Sequence, residues 1–177
     1  MNKDNYYLWD TNSFKVFINF DFTKDELAGW KFFCTSVQRI EIDRYEDIER
    51  RTQLLDIFKK IDPEMIISPA AYYDLAMYGS ARYATPENAM ILSSLKQEIM
   101  DRDLYNEAKG KKKMPDANGS DREINWGADA MVLQAALHIG PNCIVITRDV
   151  TMKQVCNHHS IRNANPTTLV EKIKSNG

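Results

Sequence analysis

Short apolar runs alternate with longer amphipathic segments along this chain, a pattern that indicates strands alternating with helices. The runs typical of strands are YYLW, EMIIS, NCIVIT and SIRNA, and we expect EMIIS to be buried. The segments with helical periodicity are EDIERRTQLLDIFKKI, PAAYYDLAMYG, PENAMILSSLKQEIM, WGADAMVLQAALHIG, VTMKQVCNHH and PTTLVEKIK. The fourth of these is apolar nearly all round, which predicts a buried helix. The alternation predicts an α/β fold with a central, mostly parallel sheet that helices flank on both faces.

One segment differs from this pattern: residues 107–125, EAKGKKKMPDANGSDREIN, are rich in charge, Gly, Pro and Asn. That composition predicts a long loop. The whole chain of 177 residues is 44% hydrophobic and 27% charged, which favours a single domain over residues 1–177 with a core of its own.

The composition also bears on location. No apolar run approaches the roughly 18 residues of a membrane span, and the first residues lack the apolar stretch of a signal peptide, so we expect no membrane association and a cytoplasmic protein. Cys34, Cys143 and Cys156 are odd in number and widely spaced. They predict reduced, mostly buried thiols rather than disulfides or a zinc site.

Four acidic residues occur where a parallel α/β sheet binds ligands, beyond the carboxyl ends of strands. Asp10 follows YYLW and Asp149 follows CIVIT, whereas Asp129 is expected in the first turn of the buried helix and Asp74 in the helix after MIIS. Each could be only a helix cap or a first-turn residue. If the first strand and CIVIT are neighbours, Asp10 and Asp149 form a pair of like charges that needs a cation or a proton. Converging carboxylates suit Mg²⁺ or Mn²⁺.

Five pieces of the sequence resemble the PIN-domain ribonucleases, which include the VapC-type toxins: LWDTNSF, ISPAAYYDL, GADAMVLQAAL, VITRDVTMKQV and IRNANPTTLV. They follow the family's order and span most of the chain. The resemblance implies a three-layer PIN-like fold and a metal-dependent endoribonuclease that leaves a 5′-phosphate and a 3′-hydroxyl. It also implies candidate partners, namely an RNA substrate, an antitoxin protein and a second copy of the chain.

By this resemblance, the catalytic acids are Asp10, Asp74, Asp129 and Asp149, and the polar residues that steady them are Asn12 and Thr147. Asp10, Asp129 and Asp149 are expected to bind Mg²⁺ or Mn²⁺ directly. The family more often has Glu at the second position, so the shorter Asp74 is expected to reach the metal through water or to accept a proton. The chain is also longer than the compact toxins, and its extra residues are interpreted as insertions near 20–62 and 102–125.

Basic residues near the expected site are candidate contacts for the RNA backbone. They are Arg148 beside Asp149 and, in the predicted loop, Lys109, Lys111, Lys112 and Lys113 with Tyr105 to stack a base. The lysine run could equally be a solvated loop. His158 and His159 end a short helix, and we interpret them as surface residues.

Two alternatives to a nuclease stay open from the sequence. One is a PIN-like RNA-binding or processing protein with impaired catalysis. The other is a phosphotransfer protein that uses Asp10 as a nucleophile, because such proteins also carry Asp at the end of a first strand.

Overall fold

The fold is built on a five-stranded sheet in a computed structural model that describes residues 4–20, 22–71, 84–111 and 119–176. The strands are β1 Tyr6–Trp9, β2 Lys31–Cys34, β3 Glu64–Met65, β4 Cys143–Ile146 and β5 Arg162–Ala164. Their order across the sheet is β3-β2-β1-β4-β5, and every neighbouring pair is parallel. The prediction of an α/β fold with a parallel sheet between layers of helices is confirmed.

Eight helices occur in the described part of the chain: α1 Thr11–Phe17, α2 Lys24–Leu27, α3 Ser36–Asp43, α4 Ile48–Ile61, α5 Pro86–Ala108, α6 Gly119–Ile139, α7 Val150–His158 and α8 Pro166–Asn176. Six of them follow an N-cap Asp or Thr whose side chain accepts a backbone N–H: Asp10, Thr23, Thr35, Asp47, Thr85 and Asp149. None of these helices combines the length and the hydropathy that crossing a bilayer requires.

Two apolar clusters, one on each face of the sheet, hold the layers together. Leu8 of β1 packs with Met131 of α6 in the first cluster, whereas its neighbour Trp9 points to the opposite face. There the centre of the Trp9 ring lies 4.4 Å from the centre of the Phe17 ring and 5.3 Å from the centre of the Phe14 ring. A buried aromatic side chain of this size costs about 3–5 kcal/mol to truncate. This packing fixes the end of β1 and therefore the position of the residue that follows it.

The segment expected to be a loop is partly helical. α5 continues to Ala108, and α6 already begins at Gly119. Ile124 and Trp126 pack against the cluster on the α6 face, so tertiary packing overrides the local turn-forming composition. As a consequence Asp129 lies ten residues into α6, and the prediction that it occupies a first helical turn is wrong.

The run EMIIS was expected to be a buried strand, and that prediction is also wrong. β3 has only two residues, Glu64 and Met65, and both are exposed. The reason is its position: within the described residues, β3 lies at the edge of the sheet and has β2 as its one partner strand. The helix expected after this run falls mostly in residues 72–83, outside the described residues.

The range 20–62, interpreted as an insertion, contributes to the central sheet. It contains β2, which pairs directly with β1 through Phe32 and Phe33, and it contains the helices α2, α3 and α4. Residues 36–43 of this range end beside the carboxyl end of β1, as described below. The segment is therefore part of the sheet and of the surroundings of the candidate site.

The three cysteines form no disulfide. Cys34, Cys143 and Cys156 are all buried, as the sequence predicts. Burial raises the pKa of each thiol to about 12, so all three stay protonated at neutral pH.

Candidate functional site

The carboxyl ends of β1 and β4 meet at one edge of the sheet. Trp9 pairs with Ile146 in the parallel register, so the next residues along each strand, Asp10 and Thr147, lie side by side. The backbone N–H of Asp10 donates to the Ile146 carbonyl oxygen at 3.0 Å. Backbone geometry alone therefore brings the first acid to the strand that leads to Asp149.

Asp10 is a helix cap whose carboxylate is also strained by its surroundings. Its Oδ1 accepts the backbone N–H of Asn12 at 3.3 Å, and its Oδ2 accepts the Thr147 hydroxyl at 3.0 Å. The side chain is only 5% exposed. Burial raises the pKa of Asp10 to about 6; the Thr147 hydrogen bond opposes this rise, and the negative charge of Asp149 adds to it. The expected close pair of acids is thus present.

Thr147 connects the two acids. Besides donating to Asp10, its Oγ1 accepts the backbone N–H of Asp149 at 3.0 Å. Asp149 is the N-cap of α7, and its Oδ1 accepts the Met152 N–H at 2.9 Å. The Asn12 side chain behaves differently, because it is exposed and accepts from Lys15 Nζ at 2.9 Å, so its contact with Asp10 is through the backbone.

The helix α3 is fastened to the end of β1. Thr35 is the N-cap of α3. Gln38 completes a capping box with it, because the side-chain carbonyl oxygen of Gln38 accepts the backbone N–H of Thr35 at 2.7 Å. The Gln38 amide donates a short hydrogen bond to the carbonyl oxygen of Trp9. Since Gln38 is fully buried, this contact sets where the next turn of α3 lies relative to Asp10.

Glu41, on that next turn, is an acid of the site that the sequence reasoning missed. Its carboxylate accepts a short hydrogen bond from the Thr11 hydroxyl. Burial raises the pKa of Glu41 to about 7; the Thr11 hydrogen bond opposes the rise, and the charge of Asp10 adds to it. Asp74, the residue expected as the second acid, lies outside the described residues.

A cleft of about 720 Å³ opens above these residues. Its lining includes Asp10, Thr11, Asn12, Glu41, Arg44, Tyr45, Glu46, Asp47, Asp103, Arg122, Ile124, Asn125, Trp126, Asp129 and Asp149. Three of the four acids predicted for the site, Asp10, Asp129 and Asp149, therefore face the same space. Asp129 reaches it from the middle of α6 and is half-buried.

A second acid of the cleft that the sequence did not indicate is Asp103, on α5. It is 2% exposed and accepts the Trp126 indole N–H at 2.9 Å and, in a short contact, the Thr151 hydroxyl. Thr151 lies two residues after Asp149, so Asp103 links α5 and α6 to the start of α7. Its hydrogen bonds give it a positioning role in the wall of the cleft.

The predicted RNA-binding residues that the structure describes, including Arg148 and Lys111, do not line the cleft. Arg148 is exposed, and Lys111 is exposed with its Nζ 5.9 Å from the centre of the Tyr105 ring. Tyr105 lines a different pocket, because it projects from the side of α5 roughly opposite to Asp103. Residues 112–113 lie outside the described residues. Among the residues that the structure describes, the basic side chains lining the cleft are Arg44 and Arg122.

The donor set of the cleft suits a hard divalent cation. Its potential ligands are carboxylate oxygens, which Mg²⁺ and Mn²⁺ prefer. The raised pKa values of Asp10 and Glu41 show that negative charge is unfavourable there, and a cation would offset that cost. Within the described part of the chain, the one trio with all potential ligand atoms within 4.8 Å of one another lies elsewhere. No three of the described cleft acids therefore have ligand atoms that close to one another, so a cation shared by them would need bridging water or side-chain shifts.

Comparisons with known proteins leave the chain without an assigned family: no model of a protein family matches it, and no curated protein is significantly similar. Fold class alone does not define chemistry. The functional argument therefore rests on the cleft and the residues that line it.

Proposed function

We propose that this protein is a metal-dependent endoribonuclease of the PIN type. The observation that carries the proposal is the meeting of Asp10, Glu41, Asp129 and Asp149 in one cleft at the carboxyl edge of a parallel sheet. This edge is where open α/β sheets bind ligands. Two of these carboxylates have raised pKa values, which is typical of functional sites.

In this proposal Asp10, Asp129 and Asp149 hold one or two Mg²⁺ or Mn²⁺ ions. Such ions would supply activation of a water for in-line attack on a phosphodiester and stabilisation of the leaving oxygen. Glu41 takes the role expected of the second acid. A carboxyl group with a pKa of about 7 can accept or release a proton near neutral pH, as an acid-base residue must.

The neighbouring polar residues hold the acids in place. Thr147 keeps Asp10 and the backbone of Asp149 at fixed separation through its two hydrogen bonds. The Thr11 hydroxyl holds the Glu41 carboxylate through one hydrogen bond. Side chains that are locked by such bonds lose little freedom when they meet substrate, which favours catalysis.

The substrate we propose is single-stranded RNA. Arg44 and Tyr45 of the cleft provide a cation for a phosphate and a ring on which a base can stack. Arg148 and the lysines at 111–113 are proposed as outer contacts along the strand. A cytoplasmic location agrees with three reduced thiols, and an antitoxin and a second copy of the chain are proposed partners by family resemblance alone.

Cleavage of a 5′-labelled single-stranded RNA by the purified protein tests the proposal. We expect cleavage with Mn²⁺ or Mg²⁺, products with a 5′-phosphate and a 3′-hydroxyl, and no cleavage with EDTA. Asp149→Asn should lower the rate by orders of magnitude while α7 stays capped, because Asn caps helices about as well as Asp. Asp129→Asn should do the same.

The matched control is Asp47→Asn, which changes an exposed cap at the rim of the cleft and should cleave at close to the wild-type rate. Full cleavage in EDTA, or wild-type rates in both Asp149→Asn and Asp129→Asn, would refute the proposed site. RNA binding without any cleavage would indicate a binding module instead. A covalent phosphate on Asp10 after incubation with a phosphodonor would indicate phosphotransfer.

A further inference from the structure

We propose that Glu98, His158 and His159 form a separate binding site for a transition-metal ion, with Zn²⁺ as the best match, that fastens the end of α7 to α5. This site lies away from the cleft and does not depend on the proposed nuclease activity. It consists of two imidazoles and one carboxylate, a donor set found in zinc proteins that keep a fourth position for water.

The three side chains already converge. His158 Nδ1 lies 2.8 Å from Glu98 Oε1, and His159 Nε2 lies 2.8 Å from Oε2. All three ligand atoms are within 4.8 Å of one another. Tetrahedral zinc with bonds of about 2.0–2.1 Å separates its ligand atoms by roughly 3.3 Å. Insertion of an ion therefore requires the distances between these three ligand atoms to change by about half an ångström to about 1.5 Å.

Local structure explains why two consecutive histidines reach one carboxylate. Successive side chains on an α-helix diverge by about 100°. His158 is the last residue of α7, and His159 is its C-cap with φ −91° and ψ 11°; the His159 N–H still bonds to the Val155 carbonyl oxygen at 3.0 Å, and the backbone leaves the helix after it. Their ring centres are 4.9 Å apart. From the last turn of α7 both rings nevertheless reach across to the same carboxylate on α5.

Glu98 is prepared for the role of a ligand. Arg102, one turn later on α5, contacts Oε1 at 2.6 Å. This ion pair orients the carboxylate through Oε1, which His158 also approaches, and Oε2 is the oxygen next to His159, so Arg102 holds the ligand in place as residues around a metal site commonly do.

An ion can reach the trio from solvent, and the chemistry distinguishes it from the cleft. The His158 side chain is 62% exposed, and a pocket of about 670 Å³ adjoins it and Glu98. Nitrogen ligands favour Zn²⁺ over Mg²⁺, whereas the carboxylates of the cleft favour Mg²⁺ or Mn²⁺. The two sites should therefore take different ions from a mixture.

Titration of the full chain with Zn²⁺ against a chromophoric chelator, with Mg²⁺ in excess, tests this site. We expect one tight equivalent, and a loss of affinity of at least about tenfold in His159→Ala and in Glu98→Gln. Co²⁺ should give the visible absorption of a tetrahedral complex in the wild type and not in these variants. Melting curves in EDTA identify any variant that fails to fold, and His158→Ala then replaces it.

His138→Ala is the matched control, since His138 is the one histidine of the chain outside the proposed site and is exposed near the end of α6. It should bind Zn²⁺ like the wild type, and so should Asp10→Asn, in which the cleft is altered. The proposal is overturned if the wild type takes up no Zn²⁺ in excess Mg²⁺. It is also overturned if affinity is unchanged in both His159→Ala and Glu98→Gln, or if Asp10→Asn abolishes binding.

Discussion

Replacement of Asp10 by Asn separates a helix cap from a member of a charged cluster. A cap alone predicts almost no change in the free energy of unfolding, because Asn caps helices about as well as Asp. The rise of the pKa of Asp10 from 3.8 to about 6 instead corresponds to about 3 kcal/mol of unfavourable free energy for the charged form. The Asn amide has one oxygen and cannot accept both hydrogen bonds of the carboxylate, and the loss of one costs about 1 kcal/mol of stability. We therefore expect the variant to be more stable by about 1–2 kcal/mol in EDTA at pH 8.

The dependence on pH gives a second signature. The pKa of Asp10 is higher in the folded than in the unfolded chain, so the folded state binds more protons between the two values. Its contribution to the free energy of unfolding accordingly falls as the pH rises from about 4 to about 6 and is constant above. The advantage of Asp10→Asn should be full at pH 8 and close to zero near pH 4.

Differential scanning calorimetry measures both effects. For a chain of this length, 1–2 kcal/mol corresponds to roughly 2–8 °C in melting temperature. Mn²⁺ should reverse the order of the two proteins, because ligand at 100 times its Kd stabilises the wild type by about 2.7 kcal/mol and the variant by less. Asp47→Asn, which alters an exposed N-cap that accepts the Arg50 N–H at 3.0 Å, should track the wild type under all conditions. Equal melting of wild type and Asp10→Asn in EDTA at pH 8, or equal shifts with Mn²⁺, would refute the reasoning.

Glu41→Gln should lower RNA cleavage by at least about tenfold and raise the melting temperature in EDTA at pH 8, because burial and the charge of Asp10 raise the pKa of Glu41 to about 7. Cleavage by Asp74→Asn, measured in the same assay, decides whether Asp74 or Glu41 is the second catalytic acid. A normal cleavage rate in Glu41→Gln would exclude Glu41 from the mechanism. Replacing the lysines at 111–113 together by Ala should weaken RNA binding and reduce the slope of log K against log salt by about 2, the value for three phosphate contacts on a single strand. An unchanged slope would mean that these lysines are a solvated loop.

The parts of the site that the sequence predicts are those set by local pattern. An apolar run with Asp shortly after it indicates the end of a strand: Asp10 follows YYLW directly, and Asp149 follows CIVIT after Arg148. Parallel strands end on the same side of a sheet, so adjacency of β1 and β4 was enough to bring Asp10 to Thr147. The length of a helix depends also on tertiary packing, which the local pattern does not show. For this reason the predicted start of α6 was too late, and Asp129 was wrongly predicted to lie in its first turn.

Glu41 could not be found in the same way. The strand KFFC is too short to show alternation, and the range around it was interpreted as an insertion. The available signal was the capping box that Thr35 and Gln38 form straight after this run. That pattern starts a helix at the carboxyl end of a strand, and Glu41 is one turn further along. The acid of ISPAAYYDL was the candidate instead, because it lies in a predicted helix after the run MIIS and because the family resemblance implies an acid there.

The cap and site interpretations of Asp10 are not mutually exclusive. An ionised carboxylate has about four acceptor positions, and capping α1 through the Asn12 N–H uses one of them. Asp149 has the same double position at α7, where its Oδ1 accepts the Met152 N–H. Backbone N–H groups at a helix start also carry partial positive charge, which lowers the cost of holding two acids near each other. Capping therefore helps these carboxylates to remain charged in the cleft, and only a substitution that keeps the cap but removes the charge can measure the two roles separately.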